Sequence, residues 1–213
     1  MELSEFFSEN KKVALAFSGG ADSAYLLYAA KAAGADVRAY YVKSVFQPQF
    51  ELEDAKRLAV ELTADMRILE ADVLALQTVA DNPSDRCYHC KKLIFHTIAE
   101  AAREDGYTVL LDGTNASDEE GDRPGMRALR ELSVRSPLRE CGLTKEKIRG
   151  LSKEAGLFTW SKPAYACLAT RIPTGEPITK EKLSATEAAE NYLFSLGFTD
   201  FRVRRLGEAA RLQ

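Results

Sequence analysis

"LAFSGGADSAYLL", residues 15–27, joins two hydrophobic patterns at a pair of glycines. Upstream, Val13, Ala14, Leu15, Ala16 and Phe17 make an apolar run short enough for one buried strand, while downstream Ala24, Leu27 and Tyr28 recur at helical spacing. Gly19 and Gly20 therefore sit at a strand-to-helix turn. A helix N-terminus offers amides without intrahelical acceptors and the positive end of a dipole, and glycine lets a ligand approach the backbone closely. Such a turn suits a phosphate.

Further along, the pattern repeats. Val37–Val42, Met66–Leu69 and Thr108–Leu111 read as strands, and Val134–Leu138 as a fifth. Between and after them, residues 51–63, 91–103, 127–132 and 144–154 read as helices, the first with Leu52, Ala55, Leu58, Ala59 and Leu62 inward, the last entered through Thr144 and closed by Gly156. Strands alternating with helices predict a doubly wound, mainly parallel α/β sheet, with the ligand crevice at the carboxyl ends of its strands. This first domain is expected to span residues 1–156. Residues 157–177 lack a period, carry three prolines and read as a long functional loop. A helix over 181–196 and an alternating strand around Phe201–Arg204 then open a small α+β domain over residues 178–213, which the chain is expected to leave incomplete.

Composition narrows the class. The 213 residues are 46% hydrophobic and 29% charged, as in ordinary globular proteins, and no run reaches membrane-spanning length. The polar first dozen residues do not resemble a signal peptide, so a cytoplasmic address and no membrane partner are expected. A net charge of −3 and a pI near 5.6 argue against nucleic acid as a main partner. Four cysteines, two of them in a CxxC, point to metal or redox chemistry more than to a disulfide framework.

Three later stretches carry chemistry. "NPSDRCYHCKK", residues 82–92, puts Cys87 and Cys90 one helical turn apart at a helix start, where the dipole favours thiolates. "WSKPAYACLATRIPTG", residues 160–175, places Cys167 beside Thr170 and Arg171 in a polar loop, where a partly ionised, reactive thiol is expected. "LDGTNASDEEGDRPG", residues 111–125, ends a strand in Gly113, Thr114 and Asn115 and continues through Asp118, Asp122 and Arg123, a position that can line a nucleotide site.

The first stretch lacks both the P-loop lysine and GxGxxG, and matches instead SGGxDS, the pyrophosphate-loop signature of ATP pyrophosphatases. Together with NPxDRCYxCK, DGTNxxDxxxxRPG and KPxxxCLATRIPxG, in this order, it resembles the LarE family over nearly the whole chain. These are ATP-dependent sulfur transferases that build the nickel-pincer nucleotide cofactor of lactate racemase. The resemblance implies an adenine nucleotide alpha-hydrolase-like fold of the pyrophosphate-loop class. It implies a small-molecule nucleotide substrate, pyridinium-3,5-biscarboxylic acid mononucleotide, whose carboxylate is adenylated by ATP and then displaced by sulfur.

By the same resemblance Ser18, Gly19, Gly20 and Ser23 cradle pyrophosphate, with Gly113, Thr114 and Asn115 nearby, and Asp22 holds Mg²⁺. Cys87, Cys90 and Cys167 carry a [4Fe-4S] cluster, sulfide or another donor supplies sulfur, and the protein is a homo-oligomer. In the family's other version, Cys167 gives up its own sulfur. Arg202 and Arg204 fit the family's phosphate-binding pair, and Glu190 falls where the family has a metal-binding acid. Basic residues Lys162, Arg171, Arg202, Arg204 and Arg205 concentrate late in the chain, as a polyanionic substrate requires. Cys141 matches no ligand position and is expected to be structural. Two alternatives stay open: a tRNA-thiolating pyrophosphate-loop enzyme, and a non-catalytic nucleotide sensor whose CxxC is closed on zinc by Cys141, His89 or His96.

Overall fold

A computed structural model describes residues 2–118, 124–207 and 209–213. Asp122 and Arg123 lie outside the described residues. The elements run α1 (Leu3–Glu9), β1 (Lys12–Ala16), α2 (Ala21–Ala32), β2 (Asp36–Lys43), α3 (Gln49–Glu61), β3 (Asp65–Glu70), α4 (Gln77–Ala80), α5 (Arg86–Glu104), β4 (Val109–Leu111), α6 (Pro124–Glu131), α7 (Pro137–Glu140), α8 (Lys145–Glu154), α9 (Lys180–Ser195), β5 (Val203–Leu206) and β6 (Ala209–Leu212).

β1 to β4 form one sheet in the order β3-β2-β1-β4, parallel throughout, with Val13 opposite Val37 on one side and Val109 on the other. Side chains on a strand alternate between faces, and here both faces are covered. Val13, Leu15, Val37, Ala39 and Tyr41 pack with Phe6, Phe7, Leu26, Leu27, Leu58 and Ile148 from α1, α2, α3 and α8. Ala14, Tyr40 and Val42 pack on the other face with Phe95, Ile98 and Leu129 from α5 and α6. Each fully buried leucine or phenylalanine contributes about 1.5–3 kcal/mol, so these two layers dominate the stability. Strand order reverses between β1 and β4, and a doubly wound sheet binds its ligand at such a reversal. The glycine turn follows β1, and Gly113–Asn115 follow β4.

Two features differ from the sequence-based expectation. The fifth strand over Val134–Leu138 does not form: only Arg135 bridges to Leu111, and Pro137 opens α7 instead. Proline has no N–H for a ladder but suits a first helical turn. The loop over 157–177 is organised by two 3-10 turns, Phe158–Ser161 and Leu168–Arg171. Beyond it, α9 and the antiparallel β5-β6 hairpin form the expected small α+β region. Among the described residues no helix is long and apolar enough to cross a membrane.

Candidate functional site

The two glycines of the turn do different work. Gly19 has φ +73°, and a Cβ there would stand 3.1 Å from the Ala55 Cβ of α3, so only glycine fits without strain. Gly20 has ordinary φ and caps α2. The Ser23 hydroxyl is spent within the turn: it accepts from Ser18 N at 3.3 Å, shares a 3.1 Å hydrogen bond with Ser18 Oγ and donates to Gly20 O at 3.2 Å. Gly113 supports the turn from behind, where a Cβ would meet Ser23 N at 3.0 Å.

Ser18, Gly20, Ala21 and Asp22 line a cavity of about 410 Å³. Ser18 N and Gly20 N are taken up by the Ser23 and Ser18 hydroxyls, which leaves the Ala21 and Asp22 amides, at the start of α2 and without intrahelical acceptors, as the donors of this wall. Lys145, Arg149 and Lys162 bring cations to the same cavity, and Cys167 lines it as well. Gly19, Ser23, Gly113, Thr114 and Asn115 do not line it; they brace it. Thr114 donates to Asp112, and Asn115 Nδ2 donates to Asp22 Oδ2 at 3.3 Å.

Asp22 Oδ1 is buried and has no hydrogen-bond partner. Burial, then the nearby Asp118 charge, raise the Asp22 carboxyl above its ordinary range, against Lys145 and Arg149. An unpaired carboxylate oxygen beside unpaired amides fits a hard divalent cation carried in with phosphates. Glu51 lines the cavity too, and burial pushes its carboxyl up to about 7 although Lys162 opposes the shift.

The cysteines come together through a polar clamp. Asn82 donates from Nδ2 to the carbonyls of Pro173 and Glu176 at 2.7 and 3.1 Å, and its own carbonyl accepts from Gly175 N at 2.9 Å. Arg86 Nη1 donates to Asn82 Oδ1 at 2.6 Å and to Ala169 O at 3.1 Å, while its Nη2 lies 3.7 Å from Cys87 Sγ. The start of α5 is thereby tied to the turn carrying Cys167, and Leu168 N donates to Phe46 O at 2.9 Å to fix that turn against the end of β2.

The thiols do not behave as their local sequence suggests. Burial pushes Cys90 up to about 12, reinforced by Cys167 and Cys87, and burial also raises Cys167 despite Arg86. Both pack against the cluster of Phe46, Val79, Leu168 and Ile172, so loss of solvent outweighs the helix dipole and the loop arginine.

Among the described residues no three His, Cys, Asp or Glu side chains approach closely enough to hold a single metal ion. His89 pairs with Asp85 and His96 with Glu100, both along α5, and Cys141 packs against the α1 side of the core. Among the described residues Cys141, His89 and His96 are thus not gathered with the CxxC pair. The Cys87 and Cys167 charges nevertheless bear on Cys90, and the Cys87 charge on Cys167, so the three thiols are neighbours of the donor type that an iron–sulfur centre takes.

Glu190 is fully engaged. Its carboxylate accepts from Arg171 Nε at 2.8 Å, Arg171 Nη2 at 3.2 Å, Val203 N at 2.9 Å and the Tyr165 hydroxyl. Burial works to raise this carboxyl, yet Arg171 and Tyr165 hold it below its ordinary value. Arg202 and Arg204 do not meet in one cavity: Arg202 borders a space of about 170 Å³ with Phe50, Phe194 and Phe201, whereas Arg204 borders one of about 350 Å³ with Arg86, Arg205 and Arg211. Sequence reasoning missed Lys145, Arg149, Asn82 and Arg86. Lys145 and Arg149 are one helical turn apart behind the Thr144 cap, which was the available signal.

No family model matches the chain. It is 35% identical over 205 residues to the pyridinium-3,5-bisthiocarboxylic acid mononucleotide synthase of Lactiplantibacillus plantarum, covering 95% of this chain and 74% of that protein. The chain belongs to the LarE family. Two uncharacterized proteins are also similar to this LarE-family chain. One, from Synechocystis sp., is 36% identical over 99% of this chain and 79% of its own length; the other, from Methanocaldococcus jannaschii, is 30% identical over 92% and 75%.

Proposed function

We propose that this chain is an ATP-dependent sulfur transferase that adenylates a carboxylate of pyridinium-3,5-biscarboxylic acid mononucleotide and replaces the adenylate by sulfur, giving a thiocarboxylate. The observation that carries the reading is the sharing of one cavity by the turn residues Ser18, Gly20 and Asp22 and by Cys167. A carboxylate oxygen leaves poorly, and conversion to a mixed anhydride with AMP makes the carbonyl carbon open to sulfur. Cleavage at the α-phosphate requires the β and γ phosphates to be held in place. The α2 amides with Lys145 and Arg149 would do this by fixed charge and donors. Mg²⁺ on Asp22 would neutralise the leaving pyrophosphate. A [4Fe-4S] cluster on Cys87, Cys90 and Cys167 would supply an exchangeable sulfide at its open iron. Arg202 and Arg204 remain the candidates for the substrate phosphate, each bordering a different cavity.

A second reading has its own support: Cys167 is the one of the three thiols that lines the 410 Å³ cavity, as a cysteine surrendering its own sulfur requires. One experiment tests the proposal and separates the versions. With ATP, Mg²⁺ and the dicarboxylate nucleotide the products should be AMP and pyrophosphate; ADP as the principal product overturns adenylation. Anaerobic reconstitution with iron and sulfide should give a thiolate-to-iron absorption band that Cys87→Ala, Cys90→Ala and Cys167→Ala lose and Cys141→Ala keeps. A spent polypeptide lighter by the elements of H₂S at Cys167 establishes the sacrificial version instead. Binding of tRNA at physiological salt in place of the nucleotide would favour a base-thiolating enzyme.

A further inference from the structure

The Arg171–Glu190 ion pair is buried to the last atom, with side-chain exposures of 0% and 1%, and it lies outside the cavity that Cys167 lines. A buried ion pair is weak evidence for stability, because desolvation cancels much of the attraction. Its surroundings show a more specific use. One oxygen of Glu190 accepts from Arg171 Nε at 2.8 Å and from the Val203 amide at 2.9 Å. The other accepts from Arg171 Nη2 at 3.2 Å and from Tyr165. Arg171 Nη1 then donates to Ala166 O at 2.8 Å and to Thr170 Oγ1 at 2.9 Å, residues on either side of Cys167. Val203 stands between Arg202 and Arg204. With four donors in place, the carboxylate has no lone pair left over for a metal ion that would not first have to expel Arg171, Tyr165 or the Val203 amide.

We infer that Glu190 is a positioning residue rather than a metal ligand: it pins the loop that presents Cys167 to Val203 at the start of β5, flanked by Arg202 and Arg204, setting the thiol and the strand in one register. The inference rests on the sulfur-transferase reading for its purpose, since a thiol must meet an activated carboxyl whose distance from the phosphate is set by the substrate. The pin itself is a property of this chain and can be tested without turnover. Replacing Glu190 by glutamine keeps the shape but presents an N–H to the donors and leaves the Arg171 charge buried and unpaired, so both segments should loosen together.

Hydrogen exchange followed by peptide mass analysis is the first measurement. In Glu190→Gln, amides over 166–171 and around 202–204 should both exchange on the order of tenfold faster, while those of β1 and β2 keep their rates. Iodoacetamide should label Cys167 on the order of tenfold faster, with Cys141 as the unchanged internal standard. If Glu190→Gln does not fold, Tyr165→Phe, which removes one donor and keeps the ion pair, should raise both exchange rates by about threefold. Metal titration of the wild-type protein, read by loss of divalent ion from solution, should show no site abolished by Glu190→Gln. Exchange that rises in only one segment, Cys167 labelling that stays at the wild-type rate or rises in step with Cys141, or a metal site lost with Glu190 each overturns the inference. Failure of AMP formation in the wild-type protein would instead refute the sulfur-transferase reading and leave the pin standing.

Discussion

Replacing the two adjacent glycines of the turn one at a time should separate a fold requirement from a ligand requirement. At Gly19 an alanine must adopt φ +73°, which costs about 1–2 kcal/mol for an L residue. Its Cβ would also stand 3.1 Å from Ala55 Cβ and 3.2 Å from the Ala55 Cα and N, and helix backbone cannot swing aside as a side-chain tip can. Overpacking of this kind costs about 1–3 kcal/mol, offset by about 0.4–1 kcal/mol from the stiffer unfolded chain. The net loss for Gly19→Ala is about 1–5 kcal/mol, a fall of about 2–20 °C in Tm for a chain of this length. Gly20 has φ −79°, and a Cβ there meets only Ser18 Oγ at 3.4 Å, so Gly20→Ala should stay within about 0.5 kcal/mol of wild type. Gly20 nevertheless lines the cavity, and a methyl group there should weaken Mg-ATP by on the order of tenfold. Thermal melts and calorimetric titration with Mg-ATP read the two effects. Equal Tm losses in the two variants, or a Gly19→Ala protein melting within a degree of wild type, would refute the reasoning.

Lys145→Ala should raise the ATP KM by on the order of tenfold through loss of a charge-assisted phosphate contact, with Lys145→Arg restoring most of it in the same AMP assay. Asn82→Ala leaves the Glu176 carbonyl and one Arg86 donor without partners and takes one of the two donors from the Pro173 carbonyl, at about 2–4 kcal/mol, to be read as a lower urea midpoint at constant m. Glu51, with its carboxyl pushed up to about 7 chiefly by burial, binds more protons folded than unfolded between its ordinary value and 7. Its contribution to stability is therefore full in acid and is lost as pH rises through 7, with a slope of at most about 1.4 kcal/mol per pH unit. Glu51→Gln should flatten that part of the stability curve, measured by urea titration from pH 5 to 8. An unchanged slope would place Glu51 in water.

Local pattern was enough for the strand, turn and helix of residues 13–28 and for the alternation that makes a parallel sheet, because periodicity and glycine spelling are properties of neighbouring residues. It was enough also for the Cys87–Cys90 pair, since one helical turn is a local distance. It failed at Val134–Leu138, where apolar spelling suggested a strand and Pro137 instead opened a helix, and at α1, whose Phe6 and Phe7 are buried although the first dozen residues read as polar. Tertiary structure alone decided which distant groups share a cavity. Lys145 and Arg149 reach Asp22 because α8 packs beside α2 on one face of the sheet, a fact that no window around residue 22 contains. It also reversed the expected ionisation of Cys90 and Cys167: the dipole and the nearby arginines were legible in sequence, whereas the desolvation that outweighs them is created by Phe46, Val79, Leu168 and Ile172 brought together from three separate segments. Charge and spacing are written locally; burial is a sum over the whole fold, and it sets the energy of every charge inside.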